Sequence, residues 1–293
     1  MTLVPASDRI GSAWRAMPHE RIEGIIRSAL DEDIGNGDIT TAITIEANRQ
    51  AQGRMITRES GIAAGLDIAQ LTFQLADPMT RWVSDIEDGR PVEPGTILGT
   101  CEGPVAAILS AERVVLNLIQ RMSGIATLTA SFVSRVAHTQ ARILDTRKTV
   151  PGLRLLDKYA VVCGGGYNHR FGLSDGILIK DNHIAAAGGV ASALEVAQAR
   201  RPHGLRIEIE VESLHQIQEA LAGGAEIILL DNMSTNELQE AVGLIDGRAL
   251  TEASGGVSLD SVRAVAETGV DLISIGRLTH SPPALDISLE IAL

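Results

Sequence analysis

A chain of 293 residues with 45% hydrophobic and 21% charged side chains has material for one large core or two smaller ones and reads as an ordinary globular protein. The formal net charge of -12 excludes a general nucleic-acid binder, which needs a basic face, and 2% aromatic residues leave little for base stacking or a membrane aromatic belt. No apolar run approaches the ~18 residues of a membrane span, so the expectation is a cytoplasmic protein with no nucleic-acid or membrane partner.

Residues 1–17 show no periodicity and read as a flexible lead-in; MTLVPASDRIGSAW also lacks the basic start and apolar run of a secretory leader. From His19 to Leu30, the residues Ile22, Ile25, Ile26, Ala29 and Leu30 recur at helical spacing and predict an amphipathic helix. DEDIGNGDITT then imitates a calcium loop, but puts Gly35 at a ligand position, Asn36 at the turn glycine and Ala42 at the bidentate glutamate. It is read as a turn. Residues 51–105 alternate apolar and polar between turn signals such as Asp88-Gly89 and Pro94-Gly95, which predicts an antiparallel sheet carrying a helix over Asp67 to Leu75. A long helix follows from Ser110, its expected cap, to Ala137; Arg113 on it reads, taken alone, as a surface residue. Cys101 and Cys163 stand far apart without metal-ligand spacing and are expected as buried, reduced thiols.

From Arg142 the pattern changes. Strand-like runs at Ile143-Leu144, Ile177 to Ile179, Ile207 to Val211, Ile227 to Leu230, Ala249-Leu250 and Leu272 to Ile275 alternate with helical patterns, which implies parallel strands joined by crossovers. The polar residues at later strand ends, Glu210, Asp231, Ser254 and Gly276, are 21, 23 and 22 residues apart, one βα unit per step. Six strands are fewer than a complete barrel has, so an incomplete α/β barrel and an open doubly wound sheet both remain.

In parallel α/β folds the loops after the strands meet on one face and carry the chemistry. Here each strand runs into polarity: Asp145-Thr146-Arg147-Lys148, Lys180-Asp181-Asn182, Glu210 (or Glu212), Asp231-Asn232, Ser254-Gly255-Gly256 and Gly276-Arg277, with Asn168-His169-Arg170 between the first two. Taken singly, Lys180 reads equally as a buried ion-pair partner, and Asp231-Asn232 as a helix start. Gly164-Gly165-Gly166 is rejected as a dinucleotide loop because no strand precedes it. Ala253 to Ser258 is a better phosphate cradle, with two glycines for close approach and a helix start beyond. Cations gathered on an acidic protein, two carboxylates and such a cradle point to a phosphorylated sugar, a hard metal ion and an anionic co-substrate, hence glycosyl or phosphoryl transfer.

DTRKTVPGLR, GGGYNHRFGLSDGILIKDNHI, IEVE, ILLDN, EASGG and ISIG, together with the helix ERVVLNLIQRMSGIAT, closely resemble the quinolinate phosphoribosyltransferase family over residues 18–290. The resemblance implies an N-terminal α/β sandwich (1–125, rejoined by 280–293) and an incomplete, roughly seven-stranded α/β barrel (126–279). It implies a homodimer, open to higher assembly, with sites shared between subunits. The implied reaction transfers phosphoribosyl from PRPP to quinolinate, releasing pyrophosphate and CO2 and giving nicotinate mononucleotide for NAD biosynthesis. Carried over, Arg147, Lys148, His169 and Arg170 hold the quinolinate carboxylates, with Arg113 arriving from the partner subunit, and Thr146 is a further substrate-binding residue. Lys148 and Lys180 face the PRPP phosphates, Glu210 and Asp231 the ribose and Mg²⁺, and Ser254, Gly255, Gly256, Ser274, Ile275 and Gly276 the 5′-phosphate. Lys148, Lys180, Glu210 and Asp231 are the expected catalytic groups. The two-Asp PRPP loop of many other phosphoribosyltransferases is absent from this sequence. A Schiff-base aldolase using Lys180, a related enzyme with another acceptor, and a non-catalytic ligand sensor are the rival readings.

Overall fold

The computed structural model describes residues 6–46 and 48–292. They form two compact units, one from the residues up to Ala130, Thr149–Gly165 and the segment from Arg277 onward, the other from Ser131–Lys148 and Gly166–Gly276. The segment Thr149–Gly165, placed in the barrel by the sequence reading, thus groups with the first unit. Polar contacts fasten it there: Arg121 donates from Nε and Nη2 to both oxygens of fully buried Asp157, each at 2.8 Å, and Tyr159 donates to Asp88 at 2.7 Å. These bonds tie the helix Arg154–Cys163 to residues well before it in the chain.

The first unit is built on an antiparallel sheet in the order Ile287–Ala292, Gln50–Thr57, Ile97–Pro104, Arg81–Ser84, so the C-terminal strand completes the sheet expected over 51–105. The helix Leu66–Ala76 lies on it, with Phe73 stacked on Trp82 at 5.8 Å between ring centroids. Asp88 caps this helix by accepting from the backbone N–H groups of Gly65 and Leu66, each at 3.0 Å. Both cysteines are buried and free, and burial pushes the Cys101 thiol up to about 11.

Three expectations are corrected here. Residues 6–16 are not an unstructured lead-in: Ala6–Ala16 is helical, with Trp14 edge-on to His19 at 5.2 Å and 5.6 Å from the Tyr159 ring. Residues 1–5 of that reading lie outside the described residues. Helix His19–Ile34 runs one turn beyond Leu30, after which Asp38 caps a short helix, Ile39–Thr44, by accepting from the Thr41 N–H at 2.9 Å. Ser110 caps nothing, because its helix spans Val105–Val136; its hydroxyl donates to Asp38 instead, at 3.2 Å.

In the second unit, among the described residues, six parallel strands stand in the order Arg142–Leu144, Leu272–Ser274, Leu250–Ser254, Ile227–Asp231, Ile207–Val211, Ile177–Ile179. Beyond the first strand Leu144 forms a single parallel bridge with Tyr167, so the seventh position is one rung rather than a strand. Arg142–Leu144, the first of these strands in the chain, pairs with Leu272–Ser274, the last, and the other strands follow in chain order, without the reversal of order at a switch point that a doubly wound sheet shows. The open-sheet alternative is thereby set aside, and the last strand, Ile177–Ile179, is left as the sheet's edge.

Candidate active site

Side chains alternate across a strand, and in register-matched parallel strands the same parity faces inward. Glu208 and Glu210, Leu229 and Asp231, Glu252 and Ser254, and Ser274 share that phase with Leu178 and Lys180. Except for Glu208, these residues line a cavity of about 570 Å³ at the carboxyl ends of the strands. Its wall is completed by Thr146, Arg147 and Lys148 from the loop after the first strand, His169 and Arg170 after the Tyr167 bridge, and Asn232, Gly255 and Gly256.

Asp145 holds two of these segments together. Fully buried, it accepts from Asn168 Nδ2 at 2.6 Å and from the His169 backbone N–H at 2.9 Å. The Asn168-His169-Arg170 run is thus fixed against the Arg147 loop. Arg147 and Arg170 then stand close enough that burial, first, and the neighbouring Arg147 charge depress the Arg170 guanidinium below its ordinary value. Arg147 Nε is buried with no hydrogen-bond partner. An unsatisfied buried donor beside a second cation is relieved by an anion.

Lys180, half exposed, makes an ion pair with Glu210 at the end of the neighbouring strand. Glu210, not Glu212, is therefore the carboxylate of that strand end. Asp231 and Asn232 do not start a helix: Ser234 caps Thr235–Ile245 in a reciprocal box with Glu237, which leaves the pair at the cavity. Asn232 stands at φ 54, in the left-handed region, and its N–H donates to Ser254 O at 2.9 Å. Gly255 and Gly256 follow at φ 95 and 62. The helix expected just after them begins only at Val262 and is six residues long, so the cradle consists of the loop backbone and not of a helix start.

Twelve of the fifteen expected site residues line the cavity; Arg113, Ile275 and Gly276 do not. Ile275 is buried and its N–H donates to Leu144 O at 2.9 Å, so it joins strands. Glu252 was missed, because the apolar run was read as ending at Leu250 whereas the strand continues to Ser254. The parity of Ser254, two residues on, was the available signal.

Two family models divide the chain between them: quinolinate phosphoribosyl transferase, N-terminal domain, matches residues 38–123, and the C-terminal domain of the same enzyme matches 125–290. The chain belongs to the quinolinate phosphoribosyltransferase family. Among its relatives within that family, a probable nicotinate-nucleotide pyrophosphorylase (carboxylating) of Bacillus subtilis is 44% identical over 277 residues, covering 94% of this chain and 96% of that one. The corresponding Mycobacterium leprae protein is 47% identical over 272 residues, with 91% and 95% covered. The solved nicotinate-nucleotide pyrophosphorylase of Francisella tularensis superposes with a TM-score of 0.90 at 39% identity, covering 94% of this chain and 98% of that one. That structure therefore shares the architecture found here, a small N-terminal sheet unit and a parallel-stranded unit.

Proposed function

We infer that the protein transfers the phosphoribosyl group of PRPP to quinolinate with loss of pyrophosphate and CO2, forming nicotinate mononucleotide. The observation that carries this is the pairing of Arg147 with Arg170, one with an unsatisfied buried N–H, in a cavity that also holds the Gly255-Gly256 loop. Two adjacent carboxylates on a pyridine ring answer the first feature, and a sugar phosphate answers the second.

The chemistry asks little covalent work of the protein. Breaking the anomeric bond of PRPP places positive charge on the ribose ring and negative charge on pyrophosphate. Lys148 and Lys180 line the cavity as cations for the leaving group, and Glu210 and Asp231 lie on neighbouring strands where a ribose ring carbon would become electron-poor. The pyridine nitrogen is the nucleophile. Once it is ribosylated, its positive charge stabilises a carbanion at the adjacent carbon, so the carboxylate there leaves as CO2. Lys180 serves poorly as a Schiff-base nucleophile, since its side-chain nitrogen is engaged in an ion pair with Glu210.

Glu210 and Asp231 form an oxygen-only donor pair, which fits Mg²⁺ arriving with a polyphosphate and taking only one or two protein carboxylates. Bound there, the ion would neutralise part of the pyrophosphate charge. A homodimer with shared sites agrees with two features. Arg113 does not line the cavity of its own chain, and each unit leaves large apolar side chains exposed, Ile39, Ile43, Met79 and Val83 in one and Phe171, Leu173 and Val196 in the other. A cytoplasmic setting agrees with two free thiols; among the described residues, no helix is long and apolar enough to cross a membrane.

The test compares acceptors. With PRPP and Mg²⁺ present, quinolinate should yield nicotinate mononucleotide, whereas nicotinate, lacking the second carboxylate, should yield little. Equal turnover of nicotinate would overturn the assignment.

A further inference from the structure

Two buried carboxyl groups under the cavity have no part in the mechanism above. Glu208 and Glu252, on alternate strands, each bring an oxygen to His169 Nε2, Glu208 at 3.1 Å and Glu252 at 3.7 Å. Glu208 is 5% exposed and Glu252 1%. A divalent cation does not suit this group. The Arg170 backbone N–H donates to His169 Nδ1 at 2.7 Å, so the ring proton sits on Nε2, the nitrogen that faces the carboxyls, and a protonated nitrogen has no lone pair for a metal. That N–H is taken by Glu208. Glu252 Oε1 is left buried without a hydrogen-bond partner, while the Ser274 hydroxyl serves the carboxyl from the neighbouring strand.

Resting on the reading that the acceptor is quinolinate, we propose that acceptor binding is coupled to a proton held on Glu252, so that the pocket floor is neutral at that position when the dianion is in place. Two ionised carboxylates sharing one imidazole N–H in a dry site repel each other, and a ring dicarboxylate above them adds to the repulsion. Burial, and then the charge of Glu208, push Glu252 up to about 7, against which His169, Ser274 and Lys180 act only in part. The strand between the two glutamates presents Leu229 at the cavity, which offers no compensating charge. The sign follows. An ordinary glutamate is ionised throughout the neutral range, whereas Glu252 keeps its proton below about 7 and loses it above. Ionisation above that point sets a negative charge under the dianion and weakens binding; conversely, a bound dianion raises the affinity of Glu252 for its proton, so binding above neutrality draws one in.

The experiment is titration calorimetry of quinolinate into the full-length protein in buffers of different ionisation enthalpy, between about pH 6.5 and about pH 8.5. The expected result is uptake of a fraction of a proton per site above neutrality, with affinity falling several-fold as pH rises. Glu252→Gln, an isosteric amide, should bind with no uptake and with an affinity flat across the range. Glu208→Gln gives a second arm that does not depend on the first variant folding: without the neighbouring charge Glu252 ionises more readily, and the uptake moves to lower pH. A wild type without uptake, or uptake unchanged in either variant, overturns the inference. Failure of the wild type to bind quinolinate at all contradicts the functional reading instead, and removes this inference with it.

Discussion

Gly255 is packed against Asn232: a Cβ on Gly255 would run into the Asn232 carboxamide, and φ 95 is itself a conformation that side chains rarely adopt. Gly256, at φ 62, has nothing within 4 Å of the corresponding point. The loop is thus closed to a side chain at one glycine and merely strained at the next. Gly255→Ala should therefore raise the KM for PRPP by one to two orders of magnitude, about 1–3 kcal/mol of distortion, while Gly256→Ala should do less. Steady-state kinetics with quinolinate saturating reads this out, and equal effects of the two substitutions would contradict it.

Arg147→Ala should weaken quinolinate more than PRPP, by about 1.5–3 kcal/mol if a charge-assisted bond is lost. Titration of each ligand separately against the variant measures the difference. Equal loss for both would remove Arg147 from the acceptor subsite.

Asp145 is a positioning residue. It touches no cavity space of its own but fixes Asn168 and His169. Asp145→Asn should lower the melting temperature, reflecting about 1–3 kcal/mol for a weakened buried network, and should also raise the quinolinate KM with a smaller change for PRPP. A drop in stability with quinolinate KM unaltered would make the residue purely structural.

Shared sites predict complementation. Arg113→Ala and Lys180→Ala, each inactive as a homodimer, should recover partial activity when combined, because one of the two sites in a mixed dimer keeps both residues. Verified mixed dimers without recovery would place Arg113 outside the site.

Much of the site was legible because its periodicity is long: Glu210, Asp231, Ser254 and Gly276 recur once per βα unit, and a regular repeat survives errors of a residue or two. Glu208 and Glu252 were not legible, since their nearness depends on which strands stand side by side in the sheet and has no counterpart along the chain. The helix Ala6–Ala16 escaped for the opposite reason. Its apolar face is only Ile10, Ala13 and Trp14, too few for a pattern, and it is secured by ring contacts to distant Tyr159. Likewise the placement of Thr149–Gly165 depends on Arg121 reaching Asp157 from thirty-six residues away, an ion pair that local spacing does not reveal.

The reaction itself is open to one decisive measurement. Quinolinate carrying a labelled 2-carboxyl group, incubated with the protein, PRPP and Mg²⁺, should release the label as CO2 in equal amount to the nicotinate mononucleotide formed. Nucleotide that retains the label, or ligand binding with neither product, would contradict the account.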